Sequence, residues 1–584
     1  MAESELFFHN GYYYLFKYIV HQYLMKTGDL MNIRIIILLA IFYLTSCEPN
    51  QFADKIYYNG NIWTGNANRP SAEFIAIKGN KILSLGSDYS SLQNPKTEMI
   101  NLFGEFVVPG FMDNHTHFMS GGFQLMSINL RDVSTKNEFI NRVKEYVQNI
   151  TAGQWVQGGD WDHEMWGGEL PSKEWIDSFT AEIPVFLGRL DGHMALANSK
   201  ALELAGITRN TPDPPGGLIN QDKNGNPTGI LRDEAEGLIS AVIPPASDEE
   251  TDLALQKAMA YAASIGLTQI HDMCSWDDLQ TFVRNKDKLS LRIYALPWVT
   301  NWKKIIDYNK DHGPGDDMLR WHGMKAMMDG SLGSRTAWMH KPYKDDPSTR
   351  GLLVAADTVE FRKILREVDK AGIQFAVHAI GTRANEWILD EFYAIGNEHG
   401  ERDRRPRVEH AQHLTPQDMK RFSSDGVIAS MQPTSIYDDA AWAYKRVDDN
   451  VLEGTYIFRS LLDDGATLTF GSDWTVTSLD PLLGIYTAVT RRSRDGKNPD
   501  GWYPDEKITV EEALRCYTYN SAYAGFQEDK LGTLETGKLA DFVVLSKDLL
   551  VINPDDILET KVVRTVVGGK DVYVLPEIKD RTWH

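Results

Sequence analysis

Six side chains spread over most of this 584-residue chain are of types that bind metal ions and activate water: His115, His117, Lys325, His378, His410 and Asp473. Each stands at or close to the end of a short apolar run. His115 and His117 follow Val107 to Met112, Lys325 lies within Gly323 to Met328, and His378 closes Ile373 to Val377. His410 follows Arg407 to Glu409, and Asp473 follows Ala466 to Gly471. In a barrel of parallel strands such ends share one rim, so residues remote in sequence meet at one point. The pattern predicts a metal-hydrolase site. His115 and His117 are separated by one residue, which on a strand points both side chains the same way.

The elements that must hold these residues follow a β/α alternation over 107–530. Candidate strands are 107–112, 184–190, 267–271, 289–296, 323–328, 373–377, 406–409, 427–431 and 466–471, with helical stretches such as 252–264, 357–371 and 384–398 between them. Parallel strands with crossover helices are expected from this alternation. Nine runs compete for eight places in a barrel. The segment at about 155–230, rich in Trp, Gly and Pro, reads as an insertion that removes 184–190 from the barrel. Outside the barrel, β-like runs and turns at 52–106 and again at 531–578 are each too small for a good core, so they are expected to fold together as one small β-sandwich.

Several motifs together carry a resemblance. They are Pro109-Gly110-Phe111-Met112-Asp113-Asn114-His115-Thr116-His117, Asp191 to Ser199 (DGHMALANS), Met324 to Ser331 (MKAMMDGS), Val377 to Gly381 (VHAIG), Val408 to Gln412 (VEHAQ) and Phe470 to Trp474 (FGSDW). Over roughly residues 55–575 the chain resembles the amidohydrolase superfamily, and within it the amidohydrolase 3 branch that includes N-substituted formamide deformylases. The resemblance implies an α/β fold, a (β/α)8 TIM-like barrel holding one or two divalent metal ions. His115 and His117, with Asp473, would bind one ion, and His378 and His410 the second. Imidazole and carboxylate ligands suit zinc best, though manganese, iron or nickel would also be accepted. Lys325 has two readings: a neutral amine carboxylated to a carbamate that bridges two ions, or a cationic lysine held in a salt bridge. Such a centre makes water nucleophilic at neutral pH. Asp473 beside it would take the proton of that water and return it to the leaving amine.

Two departures from the family pattern bear on specificity. Gly381-Thr382-Arg383 stands where relatives commonly have Gly-Asp-Arg, and Gln432-Pro433-Thr434 is followed by Ser435 where many have His. His193 and Arg335 are expected to line a substrate pocket, and Trp161, Trp166 and Trp474 are candidates for an apolar substrate wall. His271-Asp272, at another strand end, could orient a ligand from behind. His163, His322, His340 and His413 read as structural or exposed.

The formal charge of -21 argues against a nucleic-acid partner, because phosphate binding needs clustered Lys and Arg. Three cysteines, Cys47, Cys274 and Cys516, cannot build a disulfide framework, and the last two read as buried packing residues. From Met31 an Arg precedes an apolar run, Ile35 to Leu44, that ends in Leu44-Thr45-Ser46-Cys47. The run is too short for a mature membrane span but fits a signal segment. The four residues resemble a bacterial lipoprotein box, so residues 1–47 are expected to comprise an upstream extension and a signal ending at a lipidated Cys47. That would anchor the protein in the cell envelope. The leading functional expectation is hydrolysis of a non-peptide carbon–nitrogen bond in a small molecule. A lactone or ester hydrolase using the same site, and a non-catalytic surface binding protein, are the alternatives, and oligomeric state is left open.

Overall fold

In the computed structural model, which describes residues 52–189, 193–355 and 357–579, eight parallel strands carry or adjoin the six candidate residues. They are β1 (Phe111–Thr116), β2 (Leu267–Asp272), β3 (Arg292–Ala295), β4 (Gly323–Met327), β5 (Gln374–Ala379), β6 (Arg407–His410), β7 (Ile428–Met431) and β8 (Leu468–Phe470). β1, β2 and β3 pair in that order, with the short strand Leu319–Arg320 beyond β3, and β4 to β8 pair in chain order. The eight strands expected to form a barrel pair as two hydrogen-bonded arcs, and no closed barrel is defined among the described residues. The arcs meet through isolated bridges, Thr116 with Trp474 at one seam and Trp298 with Lys325 at the other. No continuous ladder crosses either seam among the described residues. β8 has only three residues, and the chain reaches β1 only beyond its end.

The strands are short, rich in Val, Ile, Ala and Met, and buried throughout β1, β2, β3 and β5 to β8, as parallel strands covered by helices on the outside must be. The covering helices form for local reasons. Thr358–Lys370, which leads into β5, buries Phe361, Leu365 and Val368 on one face, and its N-cap Asp357 accepts hydrogen bonds from the Val359 and Glu360 amides. Asp248–Ser264, ahead of β2, starts with a reciprocal capping box between Ser247 and Glu250.

The apolar run read as a single strand over 107–112 is divided between two sheets. Phe106–Pro109 pairs with Lys55–Trp63 and, antiparallel, with Phe542–Leu545, whereas Phe111–Thr116 enters the barrel. Pro109 has no amide to donate, so the ladder can change partners there. Strands from both chain ends thereby share one eight-stranded sheet, ordered Lys570–Val574, Val562–Val567, Phe542–Leu545, Phe106–Pro109, Lys55–Trp63, Ser71–Lys78, Lys81–Gly86, with Glu98–Asn101 also on Lys55–Trp63. One continuous sheet is defined where a sandwich of two was expected. Its apolar core draws on both ends, with Tyr57, Ile75 and Ile77 beside Phe542, Val544 and Val566.

Between β1 and β2 the chain builds a separate six-stranded sheet from Ile128–Asn129 to Pro227–Asp233. The 184–190 run contributes Phe186–Arg189 to it and none to the barrel arcs. Trp161 is fully buried there and donates its indole N–H to the Leu187 carbonyl, and Trp166 packs on Phe139 and Trp175. Both indoles expected in a substrate wall thus belong to this sheet's own core, because their flat apolar faces are spent on packing. Cys47 and the apolar run before it lie outside the described residues. Among the described residues no helix is long and apolar enough to cross a membrane.

Candidate metal centre

The strand ends bring the six residues to one rim. His115 is the fifth residue of β1, and His117 follows the strand as N-cap of the helix Phe118–Met126. Lys325 is in β4, His378 in β5 and His410 last in β6. Asp473 lies three residues beyond β8, its amide donating to the His115 carbonyl at 2.6 Å, and the His117 amide donates to the Trp474 carbonyl at 2.7 Å. These two bonds zip the ends of β1 and β8 together. Gly471 permits the approach: a Cβ there would lie 2.5 Å from the His115 amide nitrogen.

His115, His410 and Asp473 each offer a ligand atom, and the three atoms lie within 4.8 Å of one another. This group cuts across the division expected from the family, in which His115 and His410 would serve different ions. His117 Nε2 is 3.2 Å and His115 Nε2 is 3.6 Å from Asp473 Oδ1. The His378 ring packs 4.4 Å from that of His410, but its Nε2–H is turned to the Gly330 carbonyl at 3.1 Å. Lys325 Nζ donates to His115 Nε2 at 3.1 Å.

The far side of each imidazole is already occupied. His115 Nδ1–H donates to Glu409 Oε2 at 2.6 Å, and His410 Nδ1–H donates to Gln432 Oε1 at 2.7 Å. Both rings are held in the tautomer that leaves Nε2 with its lone pair facing the cluster, the arrangement a metal ligand needs. Glu409 is itself held by Arg407 Nε at 2.7 Å and Ser430 Oγ at 2.8 Å, and Arg407 donates on to His271 Nδ1 at 2.8 Å and the Asn114 carbonyl at 2.6 Å. Arg407 and Glu409 face the interior together through strand alternation. His410, next along, escapes the opposite face because the backbone turns left-handed at His410 (φ 72°) and Ala411 (φ 43°).

The electrostatics suit cation binding. Burial pushes His115 down to about 4, with Lys325 adding to the effect, and pushes His410 well below its ordinary value, so both rings are neutral ligands at neutral pH. Burial raises Asp473, but His115 and the hydrogen bond with His117 outweigh it and hold the carboxylate well below its usual range. Lys325 is brought down to about 8 by burial, against the pull of Glu409 and Asp473, so its neutral form is within reach near ordinary pH. Two imidazoles and an ionised carboxylate, each lone pair directed inward, fit a divalent ion.

Other expected residues fall elsewhere. His193, in the insertion and largely exposed, has Asp233 at 2.9 Å, and Arg335 forms a two-bonded pair with Asp345. Trp474 is buried against Phe118 and Tyr261 and also walls a cavity of 1110 Å³. The cavity runs between the helix after His117 (Ser120, Phe123, Gln124) and the segment after Asp473 (Trp474 to Ser478), with the insertion sheet at Gly158 to Asp160 as its far wall. Asp272 accepts from the Phe118 amide at 2.6 Å, fixing the helix that begins after His117. Sequence reasoning left out Glu409, Arg407 and Gln432 as site residues. The alternation that places Arg407 and Glu409 on one strand face was the available signal for the first two.

Comparison with known proteins agrees with this geometry. Residues 98–573 match the model of the amidohydrolase family. The protein LONG AFTER FAR-RED 3 of Arabidopsis thaliana is 40% identical over 89% of this chain and 92% of its own length. The N-substituted formamide deformylase of Arthrobacter pascens is 27% identical over 89% of this chain and 98% of its own. An uncharacterized metal-dependent hydrolase from Pyrococcus furiosus superposes with a TM-score of 0.72 at 28% identity, covering 85% of this chain and 99% of that one. With a family match over most of its length and a solved metal-dependent hydrolase of the same fold, the chain belongs to the amidohydrolase family and is a metal-dependent hydrolase by class.

Proposed function

We propose that the protein hydrolyses a carbon–nitrogen bond other than a peptide bond, in an amide or formamide-like small molecule, using one or two zinc ions. The observation that carries this reading is the convergence of His115, His410 and Asp473, both rings held from behind, beside the buried Lys325 amine. A divalent ion at such a cluster supplies Lewis acidity and makes water more acidic. Asp473, ionised and anchored through its own amide to His115, takes the proton of the attacking water and returns it to the leaving nitrogen. Lys325 would serve either as a carbamate that helps hold metal or as a cationic lysine facing the Glu409 and Asp473 carboxylates. The segment running on from Asp473 walls the 1110 Å³ cavity, which offers room for a bulky substrate next to the cluster's rim. The formamide chemistry is favoured by the name of the Arthrobacter relative.

Metal analysis of the purified protein, followed by turnover of a panel of N-substituted amides, formamides and lactones after zinc loading, tests the reading. Zinc-dependent turnover of amides or formamides above lactones is expected. Lactone hydrolysis alone would replace it with the ester reading, and bound metal without turnover of any member would favour a binding protein. We further propose that lipidated Cys47 attaches the enzyme to the bacterial cell envelope, as its lipoprotein-like box suggests. Full-length protein should then partition with membranes and Cys47→Ala should become soluble. Unchanged membrane partition of the variant would sink the idea.

A further inference from the structure

Asp329 is fully buried two residues beyond β4, and among the described residues no Lys or Arg pairs with it. Its carboxylate is nonetheless saturated. Oδ1 accepts from the Ile380 amide at 3.0 Å, and Oδ2 accepts from the Gly381 amide at 2.8 Å and the Trp338 amide at 2.7 Å. The remaining group near Oδ1 is His378 Nε2 at 3.4 Å, the same nitrogen that donates to the Gly330 carbonyl. One carboxylate thus grips the two residues that end the β5 turn and the loop residue Trp338, with the edge of the His378 ring 3.4 Å from Oδ1.

The surroundings are built for this grip. Trp338 returns the contact by accepting from the Arg383 and Ala384 amides through its carbonyl, at 3.0 and 3.3 Å. Gly381 is required where the loop crosses it, since a Cβ there would lie 2.1 Å from the Trp338 carbonyl oxygen. An asparagine in place of Asp329 would keep the shape, but it would set an NH2 group against at least one of these backbone donors. A carboxylate is the side chain that accepts at both oxygens.

We propose that Asp329 is a positioning residue for His378. It keeps the ring's Nε2–H directed toward Asp329 and the Gly330 carbonyl, and so keeps the Nδ1 lone pair available on the side away from them. By the same bonds it ties the loop through Trp338 to the strand end that carries His378, so loop docking and ligand orientation are set together. This rests on the metal-dependent reading of the site, with His378 taken as the further ligand that the family resemblance implies.

Two measurements test it, and neither depends on a substrate. In metal-free full-length protein with 15N-labelled histidine, the His378 signal, assigned by its loss in His378→Asn, should report the tautomer with its proton on Nε2. A ring protonated at Nδ1 would overturn the proposal even if no Asp329 variant folds. The second is a double-mutant cycle in cobalt affinity, read from visible absorption, over wild type, Asp329→Asn, His378→Asn and the double variant. Removing a partner that orients a ligand is expected to weaken binding by roughly 10–100-fold in the wild-type background. In the His378→Asn background the same change should cost less than about twofold, because the ring it orients is gone. Equal losses in both backgrounds would make Asp329 a loop anchor only, and an unchanged affinity would refute any role. Failure of every protein to bind cobalt would count against the metal-dependent reading itself, while the histidine tautomer would still decide the role of Asp329.

Discussion

Glu409→Gln separates an electrostatic account of the centre from a purely steric one. Glu409 and Arg407 are both fully buried, and the carboxylate accepts hydrogen bonds from Arg407 Nε–H, the Ser430 hydroxyl and His115 Nδ1–H. Burial alone would raise Glu409, yet Arg407 first, then His115, bring it below its ordinary range, so the wild-type side chain is ionised at neutral pH. The amide preserves shape but leaves Arg407 as a buried cation with neutral partners. Breaking a buried pair from one side costs roughly 3–5 kcal/mol, and about 3 kcal/mol is expected because the amide oxygen can still accept one bond. That is a fall of about 10² in the folded-to-unfolded ratio, at about 1.4 kcal/mol per factor of ten. Urea unfolding of the metal-free protein, followed by circular dichroism, measures it. A depressed carboxylate stabilises above its unfolded pKa, about 4.3, and that contribution is lost as pH falls through the folded value. The deficit of the variant should therefore be constant between about pH 6 and 8 and shrink in acid. Replacing both partners, as Arg407→Met with Glu409→Leu, removes the unpaired charge but strands His115, Ser430, His271 and the Asn114 carbonyl, so it should not restore wild-type stability. A Glu409→Gln deficit below about 1 kcal/mol would refute this reasoning.

Asp473→Asn should retain part of its metal through His115 and His410 while turnover falls by a factor on the order of 10²–10⁴, the usual contribution of a positioned acid–base group. Metal content and rate measured on one preparation check this, and near-wild-type turnover would reduce Asp473 to a structural role. His115→Asn should lose metal and activity together, and a fully loaded but inactive variant would contradict its assignment as a ligand. Truncation before Phe542 should strip the partner strand from Phe106–Pro109 and bare Val107 and Tyr57, giving insoluble protein. A soluble, monomeric truncation would show that the N-terminal strands hold their core alone.

The sequence by itself determined which residues could do the chemistry and where in the fold they had to stand. A metal site needs imidazole and carboxylate donors, and a parallel barrel needs them at the ends of apolar runs. Both demands are local, so His115, His410 and Asp473, which converge in the structure, could be singled out from residue type and position, as could the helices 358–370 and 382–399 to within a few residues of the expected 357–371 and 384–398. The run at 184–190 could likewise be set aside from composition. Tertiary structure decided what depends on partners remote in the chain. Glu409 behind His115 and Gln432 behind His410 are separated from them by 294 and 22 residues, and no pattern within one strand announces such a pair. The grouping of His115 with His410, the parting of 107–112 between two sheets at Pro109, and the burial of Trp161 in the insertion all follow from which surfaces meet. Apolar runs and turn residues state that a strand exists, but its neighbours are chosen by packing and hydrogen bonding summed over the whole chain.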